Sequence, residues 1–192
     1  MKATAKKANG KTHRIVRAKA ALAVTDIQER LLPSIFEGDR VVRNAVRLIK
    51  GARVLGIPIL VTEQYKKGLG ATTAAVAGEI ADLPVMEKIA FSACGAAGFE
   101  KALKAKKISD VILCGIEAHV CVSQTCLDLL DKGFRVFIAV DAMSSRTTDN
   151  HFIAIERMRD AGGIVVSTEM VLFELLEKAG TEEFKQILAL VK

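Results

Sequence analysis

The chain has 192 residues, 51% of them hydrophobic, which is enough for one domain with a substantial core and too apolar for disorder. Its net charge of +6 suggests an anionic partner, but seven Lys and Arg and no acid lie within residues 1–19, leaving 21 basic against 22 acidic residues beyond them. The basic character therefore belongs to a solvated tail, 1–19, ahead of a near-neutral domain, 20–192. No apolar run approaches the ~20 residues that span a bilayer, and AALAV is too short for the core of a secretory signal.

In chain order, AALAVT (20–25) reads as a short buried strand. Asp39 then precedes Val41, Val42, Ala45, Leu48, Ile49, Ala52 and Leu55, one face of a helix with Asp39 at its N-cap and Gly56 past its end. IPILVT (57–62) is the second strand. Residues 63–84 are small and glycine-containing, and are expected to be a loop with a short helix. VMEKIAF (85–91) is a strand, GFEKALKAKK (98–107) a helix and DVILCGI (110–116) a strand. A helix from about 119 to 132 follows, with Val122, Cys126, Leu129 and Leu130 inward and Gly133 as its stop. FRVFIAV (134–140) is a strand, Phe152, Ile155 and Met158 mark a helix, and IVV (164–166) is the last strand. Two helices close the chain, the second capped by Thr181 and buried through Phe184, Ile187, Leu188 and Val191.

Strands that are apolar throughout, alternating with helices, predict a single doubly wound α/β domain: a six-stranded parallel sheet covered by helices on both faces. Such sheets bind ligands beyond the carboxyl ends of their strands, where strand order reverses. Asp26 follows the first strand, Lys88 lies at the end or edge of the third, and Cys121 follows the fourth across a short turn. If the first and fourth strands are neighbours, Asp26 and Cys121 face each other. A cysteine attacks as its thiolate, and a helix N-terminus or the Lys88 ammonium would favour that anion. Asp26 could take the thiol proton and later return it to a leaving group.

AVTDIQERL, TEQYKKGLG, EKIAFSACG, CGIEAHVCVSQTCLDLLDKGFRV and VDAMSSR, in this order and spacing, resemble the isochorismatase-like cysteine hydrolases, and most of all the isochorismatase domain-containing proteins. The resemblance runs from about residue 20 to near the end. It implies an Asp26–Lys88–Cys121 triad and a cis peptide between Ile116 and Glu117. That bond would turn the Glu117 backbone N–H toward substrate, to form an oxyanion hole with the Cys121 N–H. Nicotinamidases of similar pattern carry histidine metal ligands after the second strand. TEQYKKGLGATT has none, so neither a metal, another cofactor nor nicotinamidase activity is expected. Relatives that cleave isochorismate generally lack the cysteine, so that activity is not expected either.

These features imply a cysteine hydrolase that opens an amide, carbamoyl or imide C–N bond of a small molecule through a thioester. Gln28, Gln64, Tyr65 and Phe91 are candidates to line its pocket. His119 is two residues from Cys121, a spacing that does not bring helical side chains together, so a cap or interface role is expected. Cys114 and Cys126 read as core, Cys94 likewise, with all four thiols reduced. Asp141, Ser144, Ser145 and Arg146 could contact substrate, but read first as a loop-stabilising network. The resemblance implies a homo-oligomer; a cytoplasmic location, no membrane association and no specific nucleic-acid partner are expected. The rival reading is a non-catalytic interaction protein that keeps the fold.

Overall fold

The computed structural model describes residues 13–192. Its six strands are β1 (Ala20–Thr25), β2 (Ile59–Gln64), β3 (Val85–Lys88), β4 (Asp110–Ile116), β5 (Arg135–Ser144) and β6 (Ile164–Val166). They form one sheet in the order β3-β2-β1-β4-β5-β6, every pair parallel. The order reverses between β1 and β4, which are neighbours in register from Ala20↔Asp110 to Thr25↔Gly115. Every residue of β1 and β4 is buried, which is why both read as unbroken apolar runs.

Alternate residues of each strand feed opposite faces of the sheet. Leu22 and Val24 join a core built with α1 (Gly38–Val54), the short α3 (Ala74–Ala77), α7 (Thr168–Leu176) and α8 (Glu182–Val191). Ala21 and Ala23 join a second core with α4 (Phe99–Ala105), α5 (Ser123–Asp131) and α6 (Thr148–Asp160). One further turn, α2 (Lys66–Leu69), lies in the expected loop after β2.

Several local expectations are corrected. Asp39 is in the first turn of α1, where its charge suits the helix dipole, and the cap position belongs to Glu37 in a left-handed conformation. Phe152 faces outward, 60% exposed, because Thr147 caps α6 by accepting from the Asn150 N–H. That start sets the inward face at His151, Ala154 and Met158. β5 runs four residues beyond its expected end. Its pairing with β4 shifts between Leu113↔Ile138 and Gly115↔Met143, and Asp141 lies in the shifted stretch. The Asp141 carboxylate accepts from the backbone N–H and hydroxyl of Thr168, at 2.8 and 3.0 Å, while its carbonyl accepts from Arg40 and Asn44, both at 2.8 Å. It is a structural tie between β5, α1 and α7.

The expected boundary after residue 19 falls inside packed chain. Ile15 is buried in the first core and donates its N–H to Glu174 at 3.0 Å; Val16 donates to Asp110 at 2.8 Å. Arg17 bonds the Leu55 carbonyl and pairs with Glu183. Residues 1–12 of the expected tail lie outside the described residues. Asp110, buried at the start of β4, also pairs with Arg135 at the start of β5, which closes the amino-terminal end of the sheet.

Gly115 permits the close approach of β1 and β4 at the opposite end. Its φ is +128°, and a Cβ there would stand 2.0 Å from the Thr25 carbonyl oxygen. Backbone cannot yield as a side-chain tip can. Gly115→Ala is therefore expected to cost at least about 3 kcal/mol, at the severe end for a single substitution, measured by urea denaturation of the purified variant.

Candidate active site

Asp26 is the first residue beyond β1 and is wholly buried, with a φ of 53° that Asp tolerates better than most side chains. Its N–H donates to the Thr62 carbonyl at 3.1 Å, and its Oδ1 accepts from the Thr62 hydroxyl at 2.7 Å. Its Oδ2 accepts from Lys88 Nζ at 2.6 Å. Lys88 ends β3, two strands away, so its side chain must cross β2 to arrive. Gln64, the β2 residue in register with Lys88, receives the ammonium on the way at 2.9 Å through Oε1. The Phe91 carbonyl accepts from the same ammonium at 2.7 Å, and the Ala90 carbonyl lies at 3.3 Å. The three protons of Lys88 are thus committed to Asp26, Gln64 and Phe91.

Cys121 reaches this pair from a π turn, Ala118–Val122, that joins β4 to α5. Turns of this type recur at functional sites. The Glu117 carbonyl accepts from the N–H groups of Val120 and Val122, at 3.1 and 3.2 Å, and shapes the turn. The Cys121 sulfur interacts with both the Asp26 carboxylate and the Lys88 ammonium. Asp26 and Lys88 are hydrogen-bonded, and the Cys121 thiol lies within electrostatic reach of both, at the point where the sheet order reverses.

The charge state of the thiol differs from the expectation of a resting anion. Burial, with Cys121 only 5% exposed, and then the adjacent Asp26 carboxylate push its pKa up from 9.0 to about 12; Lys88 opposes this without prevailing. Both effects favour the neutral thiol, the opposite of what Lys88 alone would do. Cys114 and Cys126 are likewise raised to about 12 by burial. Cys94 is half-buried, not core, and is raised to about 11.

The Ile116–Glu117 peptide is cis. The Glu117 side chain is buried and bound by Arg146, through the backbone N–H and Nε at 3.0 Å each and Nη2 at 2.6 Å. Burial raises the Glu117 pKa, but the Arg146 contacts outweigh it and the carboxyl stays below its ordinary value. His119 turns away toward β5, its Nδ1 at 3.0 Å from the Ser145 hydroxyl.

Gln28, a candidate pocket residue, is instead a brace. Its amide donates to the carbonyls of Gln64 and Gly70 at 3.0 and 2.7 Å and accepts from the Gln64 N–H at 2.8 Å. Gln64 is also committed, donating to the Ile89 carbonyl at 2.8 Å while holding Lys88. Both are buried, and Gln28 spends both of its amide protons within the protein, whereas Gln64 spends one. Tyr65 and Phe91 are about half exposed, 50% and 52%. Tyr65 lines a cleft of about 530 Å³ together with Ile89, Ala90 and the Lys88 segment. The sequence reading missed Thr62 and Thr125; each is a polar residue within a buried element, and Thr125 stands four residues after Cys121.

Among the described residues no three His, Cys, Asp or Glu side chains cluster as a metal site. Glu63 is occupied by Thr72, through the N–H at 2.7 Å and the hydroxyl at 2.8 Å, and by Lys66 at 2.9 Å. No helix of the described residues is long and apolar enough to cross a membrane.

Comparison with known proteins agrees with this architecture. The family profile of the isochorismatase domain matches residues 20–170. Isochorismatase domain-containing protein 2 of Danio rerio is 40% identical over 88% of this chain and 84% of its own length. A secreted isochorismatase effector, Isc1 of Phytophthora sojae, is 38% identical over 93% and 87%. Among solved structures, the MAR1 ribonuclease of Caenorhabditis elegans superimposes with a TM-score of 0.88 at 40% identity, covering 93% of this chain and 92% of that one. The fold is that of an isochorismatase-like hydrolase. The chain belongs to the isochorismatase family, where it is similar to the isochorismatase domain-containing 2 proteins.

The geometry has two measurable consequences. Lys88→Met leaves a buried carboxylate unpaired and is expected to cost about 3–5 kcal/mol, of which Asp26→Asn in the same chain recovers a large part; denaturant titration of both variants tests this. Asp26→Asn alone removes the carboxylate that raises the thiol pKa and leaves Lys88 to lower it. Alkylation of Cys121 by iodoacetamide at pH 8, followed by peptide mass, should therefore speed up by about tenfold for each unit by which the pKa falls.

Proposed function

We propose that the protein is a cysteine hydrolase that cleaves an amide, carbamoyl or imide C–N bond of a small molecule, with Asp26, Lys88 and Cys121 as its triad. The observation that carries this reading is a buried carboxylate–ammonium pair at the switch point of the sheet, with a thiol within electrostatic reach of both members. A buried thiol at its raised pKa is inert alone, so it needs an adjacent base, and Asp26 is that base. As the sulfur attacks the carbonyl carbon, its proton passes to Asp26. The tetrahedral oxyanion is received by the backbone N–H groups of Glu117 and Cys121; each such donor lowers the barrier by about 3 kcal/mol. Collapse breaks the C–N bond as Asp26 returns the proton to the departing nitrogen. Water, deprotonated by the same carboxylate, then attacks the thioester; the C–S bond breaks, the acid leaves, and Asp26 returns the proton to the sulfur.

Lys88 has no proton to spare for substrate. Its role is to hold Asp26 ionised and aligned and to offset the negative charge that arises on sulfur. The cleft beside Lys88, at about 530 Å³, is of the size small-molecule sites take. Tyr65, which lines this cleft, is offered as an aromatic contact for substrate, and Phe91, exposed outside its lining, as a second. We read the enzyme as a cytoplasmic homo-oligomer with neither nicotinamidase nor isochorismatase activity and no specific nucleic-acid partner. The ribonuclease named for the nematode neighbour would require attack at phosphorus, for which a thioester route has no use.

The test is a panel of small amides, carbamoyl compounds and imides, with RNA as a further arm, scored by ammonia release and by acyl adducts on the intact protein. Cys121→Ala is expected to lower turnover at least about 10³-fold and to abolish the adduct. Asp26→Asn should lose about 10²–10⁴-fold although its thiol alkylates faster. Turnover that survives in Cys121→Ala would sink the nucleophile assignment. A wild-type protein that turns over nothing would favour the interaction-protein reading.

A further inference from the structure

Thr125 is wholly buried on α5, one turn beyond Cys121. Its hydroxyl donates to the Cys121 carbonyl at 2.7 Å and accepts from the Ala93 N–H at 2.8 Å. The first bond alone would be ordinary, since threonine often bonds the carbonyl one turn back. The second comes from a different element. Ala93 begins a tight turn, Ala93–Gly95, capped by the Ser92 hydroxyl, which accepts from the Cys94 N–H at 3.2 Å. Two residues upstream is Phe91, whose carbonyl accepts from Lys88 at 2.7 Å. A bonded path therefore runs from the Lys88 ammonium through Phe91, Ala93 and Thr125 to the main chain of Cys121. Lys88 also acts electrostatically on the Cys121 sulfur at the other side of the turn.

We infer that Thr125 is a positioning residue, which fixes the turn carrying Cys121 at its distance from the loop that holds Lys88. This rests on the hydrolase reading for its place in catalysis, but the coupling itself does not require a substrate. A hydroxyl has one proton and lone pairs to accept another, so it can serve a carbonyl and an N–H at once in the dry interior. Valine keeps the shape and can serve neither. Serine keeps the hydroxyl and loses the methyl.

That contrast separates positioning from packing. Alkylation of Cys121 would be followed against pH by peptide mass in the wild type, Thr125→Val and Thr125→Ser. In Thr125→Val the loop relaxes, Lys88 acts less on the sulfur, and the profile moves to higher pH. Alkylation at pH 8 is expected to slow by about threefold or more, half a pKa unit. On any amide found to be a substrate, kcat should fall by about tenfold or more with KM within about twofold, as for a misplaced reacting group. Thr125→Ser should restore both readouts. A packing role predicts the reverse order, with valine tolerated and serine impaired. An unchanged alkylation profile in folded Thr125→Val, or a serine variant that behaves like valine, would overturn the inference. If Thr125→Val does not fold, Thr125→Ala makes the same comparison. A shifted profile in a protein without amidase activity would uphold the coupling and sink the hydrolase reading. Intact turnover with no shift would do the opposite.

Discussion

The ion pair between Asp26 and Lys88 is the constraint around which the carboxyl end of the sheet is built. Neither charged side chain is exposed to water, and desolvating each costs several kcal/mol, which their attraction offsets only if the remaining hydrogen-bonding capacity is filled. The surroundings fill it. Thr62 and Lys88 take the two carboxylate oxygens, and Gln64 and Phe91 take the other ammonium protons. Those partners come from β2 and from the loop after β3. The pair therefore organises the segments that a ligand would meet, and Gln28 braces the same region through main-chain bonds to Gln64 and Gly70.

Much of this was legible in the sequence because the physics behind it is local or periodic. Unbroken apolar runs located β1 and β4 to the residue, and the alternation of strands and helices fixed the parallel class. Asp26, Lys88 and Cys121 were visible because a reactive side chain at a strand end is conspicuous against the apolar run before it. What stayed hidden depends on contacts between distant segments. Nothing local says that Ile15 inserts into a core against α7 and α8, and the basic residues around it read as solvated chain. The outward turn of Phe152 follows from where Thr147 starts its helix, a phase difference of one residue. Gln28 and Gln64 look like ligand-binding amides until their partners across β2 are known.

The thiol shows a different kind of limit. Composition can say that a cation and an anion lie near a sulfur, but which prevails is a matter of depth. With Cys121 nearly enclosed, desolvation acts in the same direction as Asp26, and together they exceed the pull of Lys88. The enzyme chemistry proposed for the site is accordingly one of proton transfer on demand. Its selectivity would come from the geometry that brings an electrophile to a sulfur which ordinary reagents meet as a neutral group.

Lys88 belongs to β3, the outermost strand on its side and only four residues long. β2 is its one hydrogen-bonded neighbour, whereas β1 and β4 are flanked on both sides. Fraying at such a margin requires far less free energy than dissolution of the central strands. The centre can thus be dismantled by a local opening that draws only Val85 and Met86 from the margins of the two cores, so that loss of function on warming would precede, and stay reversible apart from, collapse of the domain.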